Sequence, residues 1–217
     1  MTIRQASDRS LLVTFGAGIS LESHRQVFHL TRSLDGVRGV LNLHPAYASV
    51  LIEFDPRLVE SAAIEALVHQ KMAVEADHGA IAVARSVEIP VRYGGEFGPD
   101  LDDVARHTGF SPERVVELHS AADYLVYFLG FAPGFAYLGG LPPELTTPRI
   151  SAPRKQVPAG SVAIGGNQTG VYPIVSPGGW RLIGRTPVKL FDPAAAEPVL
   201  LRMGDRLRFV PIAEDPV

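Results

Sequence analysis

The chain has 217 residues, 46% of them hydrophobic and 20% charged, with a formal net charge of −3. That length suffices for one large domain or two small ones, each with a core, and the mild acidity argues against nucleic-acid partners. The absence of cysteine excludes disulfides, thiolate catalysis and cysteine zinc sites and suits a reducing cytoplasm. No apolar run reaches the roughly 18 residues that span a bilayer, so no membrane association is expected.

Residues 1–84 read as a small α+β domain. Leu11 to Phe15 is a short apolar run closed by Gly16 and Gly18, as in a strand. Ser20 is placed to cap a helix whose Val27, Leu30 and Leu34 recur at three and four residues, and Gly36 ends it. Two strands follow at Val37–Leu43 and Ser49–Phe54. Asp55-Pro56 then predicts the start of a second helix, with Ile64, Leu67 and Val68 as its buried stripe. Strand and helix in that order suggest a ferredoxin-like sandwich. The linker is expected around Gly79 to Arg85.

Residues 85–217 read as a second domain, mainly β. Val87, Ile89, Val91 and Tyr93 alternate with polar neighbours, and Pro90 puts that strand at an edge or bulge. Two short helices follow, the first carrying Leu101, Val104 and Ala105 and stopping at Gly109, the second starting at Ser111-Pro112. Tyr124 to Leu129 is an apolar strand. Beyond it, short runs at 162–164, 171–172, 174–175, 181–183, 188–191 and 206–209 are separated by Gly, Pro, Asn and Ser turns, the pattern of a closed or nearly closed barrel.

The span from Gly130 to Pro187 holds more than half of the glycines and half of the prolines. Between Glu144 and Asp192 there is no acidic residue, yet Arg149, Arg154, Lys155, Arg181, Arg185 and Lys189 all fall there. Fixed backbone with concentrated positive charge receives anions. Gly165-Gly166-Asn167-Gln168-Thr169-Gly170 lacks the lysine of a phosphate-binding Walker loop. It reads either as a hairpin turn or as three polar side chains beside backbone amides that suit a carboxylate or amide. Phe128, Phe131, Pro133, Phe135 and Tyr137 suggest a shaped contact face, and Trp180 is either a barrel plug or an interface anchor. His24 and His29 read as partly exposed helix residues, and His119 as a surface or capping residue near the site. There is no HExxH, no paired-carboxylate motif and no serine triad pattern, so no metal site is expected and proton transfer must come from elsewhere.

The series GFAPGFAYLGGLP (130–142), TPR (147–149), VPAGSVAIGGNQTGVYP (157–173) and SPGGWRLIGRTPVKLFDP (176–193) resembles the B-subunit family of bacterial ATP-dependent 5-oxoprolinase. That family takes in the Kip-type histidine kinase inhibitor and proteins once called allophanate hydrolase subunit 1. The resemblance runs the full length. It implies a ferredoxin-like domain followed by a cyclophilin-like barrel, homologous C-type and separate A-type partner subunits, and ATP-driven opening of 5-oxoproline to glutamate by the set. It implies a site along 158–173 and 176–186. From their chemistry, Gln168, Thr169 and Tyr172 are expected at the ligand beside Gly165, Gly166 and Asn167, with Arg149, Arg154 and Arg185 as charge partners. Phe131, Pro133, Phe135, Tyr137 and Trp180 are the expected partner face. Alternative expectations are a histidine kinase as partner, or a carboxyltransferase component of a biotin-dependent urea carboxylase-like system.

Overall fold

The computed structural model describes residues 1–74 and 85–213. The chain divides into two compact units, Met1–Val83 and Ala84–Val217. Apart from Arg85, the expected linker lies outside the described residues.

In the first unit, β1 (Thr2–Ser7) and β2 (Ser10–Thr14) form a hairpin, followed by α1 (Leu21–Leu34), β3 (Val40–Pro45), β4 (Ser49–Phe54) and α2 (Ser61–Ala73). The sheet is antiparallel in the order β1-β2-β4-β3. Alternation turns Leu11, Val13, Val50, Ile52 and Phe54 toward Val27, Leu30, Leu34, Ile64 and Val68, all buried. Ser20 caps α1 by accepting from the Ser23 N–H at 3.0 Å. One expectation needs correction. Asp55 does not begin a helix; its carboxylate accepts from the Arg57 N–H (2.9 Å) in a turn, and α2 starts six residues later. The edge strand β1 carries mostly exposed polar residues and gave no apolar signal.

The second unit is a closed seven-stranded barrel. Its strands are β5 (Ser86–Tyr93), β6 (Tyr124–Leu129), β7 (Ala136–Gly139), β9 (Ser161–Gly165), β10 (Gln168–Val171), β12 (Arg181–Arg185) and β13 (Arg206–Pro211). They close in the order β10-β7-β6-β13-β5-β12-β9. A two-stranded ribbon lies outside this order, formed by β8 (Arg154–Val157) and β11 (Ser176–Gly178). The pairing of β13 with β5 is parallel and joins the start of the unit to its end. Pro90 sits opposite Val210 on that side, while β12 meets β5 only at Arg92 and Tyr93, so the missing N–H of Pro90 breaks no barrel ladder.

The barrel is packed with side chains: Ile89, Val91, Tyr124, Val126, Leu138, Val162, Ile164, Ile183, Leu207 and Phe209 form one buried cluster. Leu101, Val104 and Ala105 of α3 (Leu101–Thr108) and Val115 of α4 (Pro112–Ala121) belong to the same cluster. Gly109, at φ 76°, ends α3 and Ser111 caps α4. The apolar run 188–191 forms no extended strand; only Phe191 bridges Val199. A smaller buried cluster, Phe135, Val157, Ala163, Tyr172, Trp180 and Leu182, brings together the ribbon and the barrel strands, so β9 is buried on both faces.

Candidate functional site

The smaller cluster opens into a cleft of about 110 Å³ lined by Phe131, Phe135, Tyr137, Arg149, Tyr172 and Trp180, with Pro177, Gly178 and Gly179 as the remaining wall. The rings meet edge to face: Phe135 with Tyr137 at 5.0 Å, with Tyr172 at 5.6 Å and with Trp180 at 5.7 Å. Gly165 makes this possible. A Cβ there would lie 2.4 Å from the Trp180 ring, so the indole rests directly on bare strand backbone.

Phe131 stands at the mouth of this cleft and is 61% exposed. It has a φ of 67°, the one non-glycine residue with positive φ among those described, and the Ala132 N–H donates across it to the Gly130 carbonyl at 2.8 Å. A three-residue turn with positive φ is rare and strained for a bulky side chain. Backbone strain that holds an aromatic ring out in solvent belongs to working loops rather than to packing.

Arg149 supplies the charge. Its guanidinium lies 5.9 Å from the Trp180 ring, and it has no ion pair or hydrogen bond among the described residues. Burial pushes the Tyr137 and Tyr172 phenols up, opposed in part by the Arg149 charge beside both. Neither phenol therefore ionises near neutral pH, and the cleft offers hydroxyls and one cation but no base.

The other expected charge partners lie elsewhere. Arg154 donates to Asp100 (2.7 Å), whose other oxygen accepts from the buried Leu182 N–H (2.7 Å). Arg181 donates to Asp103 at 2.8 Å, and the Arg106 and Arg181 guanidiniums hold that carboxyl below its usual range. Arg185 does not line the cleft; it lies 5.7 Å from the Phe97 ring, which Arg92 also covers at 5.0 Å. Two of the six basic residues of this stretch, Arg154 and Arg181, are thus paired with acids from the turn before α3 and from α3 itself. Nothing in their local sequence sets Asp100 and Asp103 apart from ordinary first-turn carboxylates.

The GGNQTG loop is a two-residue hairpin, with Gly165 paired to Gln168. Its positive φ falls at Gly166 (66°) alone, which fits a type II′ turn. Gly166 exchanges both backbone hydrogen bonds with Thr147 (3.1 and 2.8 Å), so its N–H does not face a ligand. Only Asn167 projects into solvent; Gln168 is 9% exposed. Thr169 is removed from the exposed set altogether. It points into the barrel and donates to the Ala163 carbonyl at 3.0 Å.

Thr169 also meets His119, which its local sequence suggests at the surface. His119 is instead fully buried: its Nε2 lies 2.8 Å from the Thr169 hydroxyl and its Nδ1 2.8 Å from the Tyr93 hydroxyl. Because Thr169 spends its proton on Ala163, Nε2 donates and Nδ1 accepts, which fixes the neutral tautomer. Burial pushes this histidine down to about 3. His24 is likewise buried, 3% exposed, and pushed down to about 4 by burial and by Arg25.

A small α/β unit followed by a closed, helix-lined barrel with an aromatic cleft outside its wall sets the class, and comparison with known proteins agrees. Residues 1–201 match the family described as carboxyltransferase domain, subdomain C and D. The chain is 48% identical over 196 residues to the B subunit of 5-oxoprolinase from Escherichia coli O157:H7, covering 90% of this chain and 89% of that protein. It is 42% identical over 225 residues to the B subunit of 5-oxoprolinase from Bacillus subtilis (strain 168), covering 98% and 93%. Of solved structures, TTHA0988 superposes with a TM-score of 0.85 at 42% identity, over 96% of this chain and 40% of that longer one. The chain belongs to the carboxyltransferase subdomain C and D family and, within it, to the B-subunit group of the 5-oxoprolinases.

Proposed function

We propose that this chain acts as the B component of an ATP-dependent 5-oxoprolinase, working with A-type and C-type subunits to open 5-oxoproline to glutamate. The observation that carries the reading is the near full-length relation to two 5-oxoprolinase B subunits. The site chemistry agrees with a component that binds and leaves proton transfer to its neighbours. Its cleft has aromatic walls and an arginine with no ion pair among the described residues, and the one imidazole close in sequence is sealed inside the barrel. The chain alone is therefore inactive.

The aromatic cleft and the GGNQTG hairpin do not suit a nucleotide. Gly166 of the GGNQTG hairpin commits its N–H to Thr147, and among the described residues no three His, Cys, Asp or Glu side chains gather to hold a metal. ATP is used by the assembled complex on this reading, and this cleft is not its site. Arg149, Tyr172 and the aromatic walls remain as the ligand-facing set, with Arg154 and Arg185 reassigned to structural contacts.

The architecture supports the same assignment. Strands β2, β3 and β4 with α1 and α2 have the ferredoxin-like order, with β1 taking the edge beside β2, and the barrel is read as cyclophilin-like. The two domains are taken as residues 1–84 and 85–217. Purified A, B and C components mixed with ATP and 5-oxoproline release glutamate on this reading; no turnover refutes it. Two other roles rest on particular observations. The family match favours a carboxyltransferase component, which requires a biotinylated carrier to donate its carboxyl group. The exposed, strained Phe131 favours docking of a protein such as a histidine kinase, which Phe131→Gly would abolish.

A further inference from the structure

We propose that the cleft between Phe131, Phe135, Tyr172 and Trp180 is a binding site on this chain for 5-oxoproline itself, with Arg149 taking the carboxylate and the rings clamping the lactam. The assignment rests on the 5-oxoprolinase reading above and deepens it.

Size decides first. The cleft holds about 110 Å³. A cavity of about 150 Å³ accommodates benzene, and drug-sized ligands need roughly 300 Å³ or more. At less than the benzene volume, the open cleft has room for one small ring and not for a nucleotide. Shape comes next: Phe135 packs edge to face against Tyr137, Tyr172 and Trp180, and this rigid aromatic floor, with the exposed Phe131 at its mouth, offers apolar surface to a flat ring. Charge then selects among rings. Arg149 is the cation of the lining, and it has no carboxylate among the described residues while Arg154 and Arg181 have theirs. A free carboxylate one carbon off the ring satisfies its planar fork; an internal prolyl residue of a peptide, whose carboxyl is an amide, does not. The Tyr172 phenol lines the cleft and burial keeps it protonated, so its hydroxyl can donate to the lactam carbonyl.

The chain contains one tryptophan, and it forms a wall of this cleft, so intrinsic fluorescence reads the site directly. The full chain is titrated with 5-oxoproline, 2-pyrrolidinone (the ring without its carboxylate), cyclopentanecarboxylate and a proline peptide blocked at both ends. The expected result is a saturable change with 5-oxoproline, with 2-pyrrolidinone and Arg149→Gln each weaker by roughly ten- to a hundred-fold, the loss of one charge-assisted pair. Arg149→Lys retains part of the affinity. Two results overturn the assignment: equal affinity of Arg149→Gln and the wild type, or tighter binding of the blocked peptide, which would make the cleft a peptide-docking site. In the reconstituted complex, Arg149→Gln is expected to raise the KM for 5-oxoproline. Normal turnover with an unchanged KM overturns this site and leaves the B-component reading intact. A complex without turnover removes the B-component reading, while fluorescence still decides the site.

Discussion

Acid should unfold the barrel through His119. The ring is buried, stacked 4.7 Å from Phe209 and 5.5 Å from Tyr124, and both nitrogens are satisfied in the neutral form. Its value is pushed down to about 3 in the folded state, against 6.5 for an ordinary histidine. The folded value is the lower one, so between these limits the unfolded chain binds more protons. Stability is full above pH 6.5 and falls as pH drops, at a limiting slope of about 1.4 kcal/mol per pH unit. Integration from pH 7.5 to 5.0 gives a loss of about 2 kcal/mol from this residue. Urea unfolding followed by Trp180 fluorescence reports on the barrel unit, and His119→Leu removes the titration while leaving every carboxylate in place. The variant starts less stable, because Tyr93 loses its partner, but its stability should change between the two pH values by about 2 kcal/mol less than that of the wild type. Equal pH dependence in the two proteins would refute the buried, neutral assignment.

Gly165→Ala should destabilise the barrel unit by about 2 kcal/mol, because the new methyl meets the indole at 2.4 Å; urea midpoints and a shifted Trp180 emission check it. Asp100→Ala removes both the Arg154 pair and the acceptor for the Leu182 N–H and should cost about 3 kcal/mol by the same assay. Asp103→Asn, at a site 39% exposed, should leave the melting temperature almost unchanged. Phe131→Gly relieves the strained turn, so stability should stay within about 1 kcal/mol of the wild type, while binding at the cleft, read by Trp180 fluorescence, is lost.

Local rules carried much of the architecture. Ser20 and Ser111 cap the helices their spacing predicts, Gly109 ends α3 in the left-handed region, and the alternation at 87–93 is a strand. The same residue-level reading grouped Phe131, Phe135, Tyr137, Tyr172, Trp180 and Arg149 as candidates, although in two separate roles, and the structure puts all six around one cleft. It failed where local chemistry has two readings. Asp55 before a proline looks like a helix cap and is a turn acceptor; Thr169 in a polar run looks exposed and is core.

Capping, periodicity and turn chemistry depend on residues a few positions apart, and for that reason the sequence by itself determined the helices, most strands and the aromatic, glycine-rich working region. Neutralisation of Arg154 by Asp100 spans 54 positions and that of Arg181 by Asp103 spans 78, and closure of the barrel joins β5 to β13 across more than a hundred. Those distances collapse only when the sheet curls shut. Tertiary structure alone therefore decided which of these arginines are neutralised and which histidine is sealed in the core.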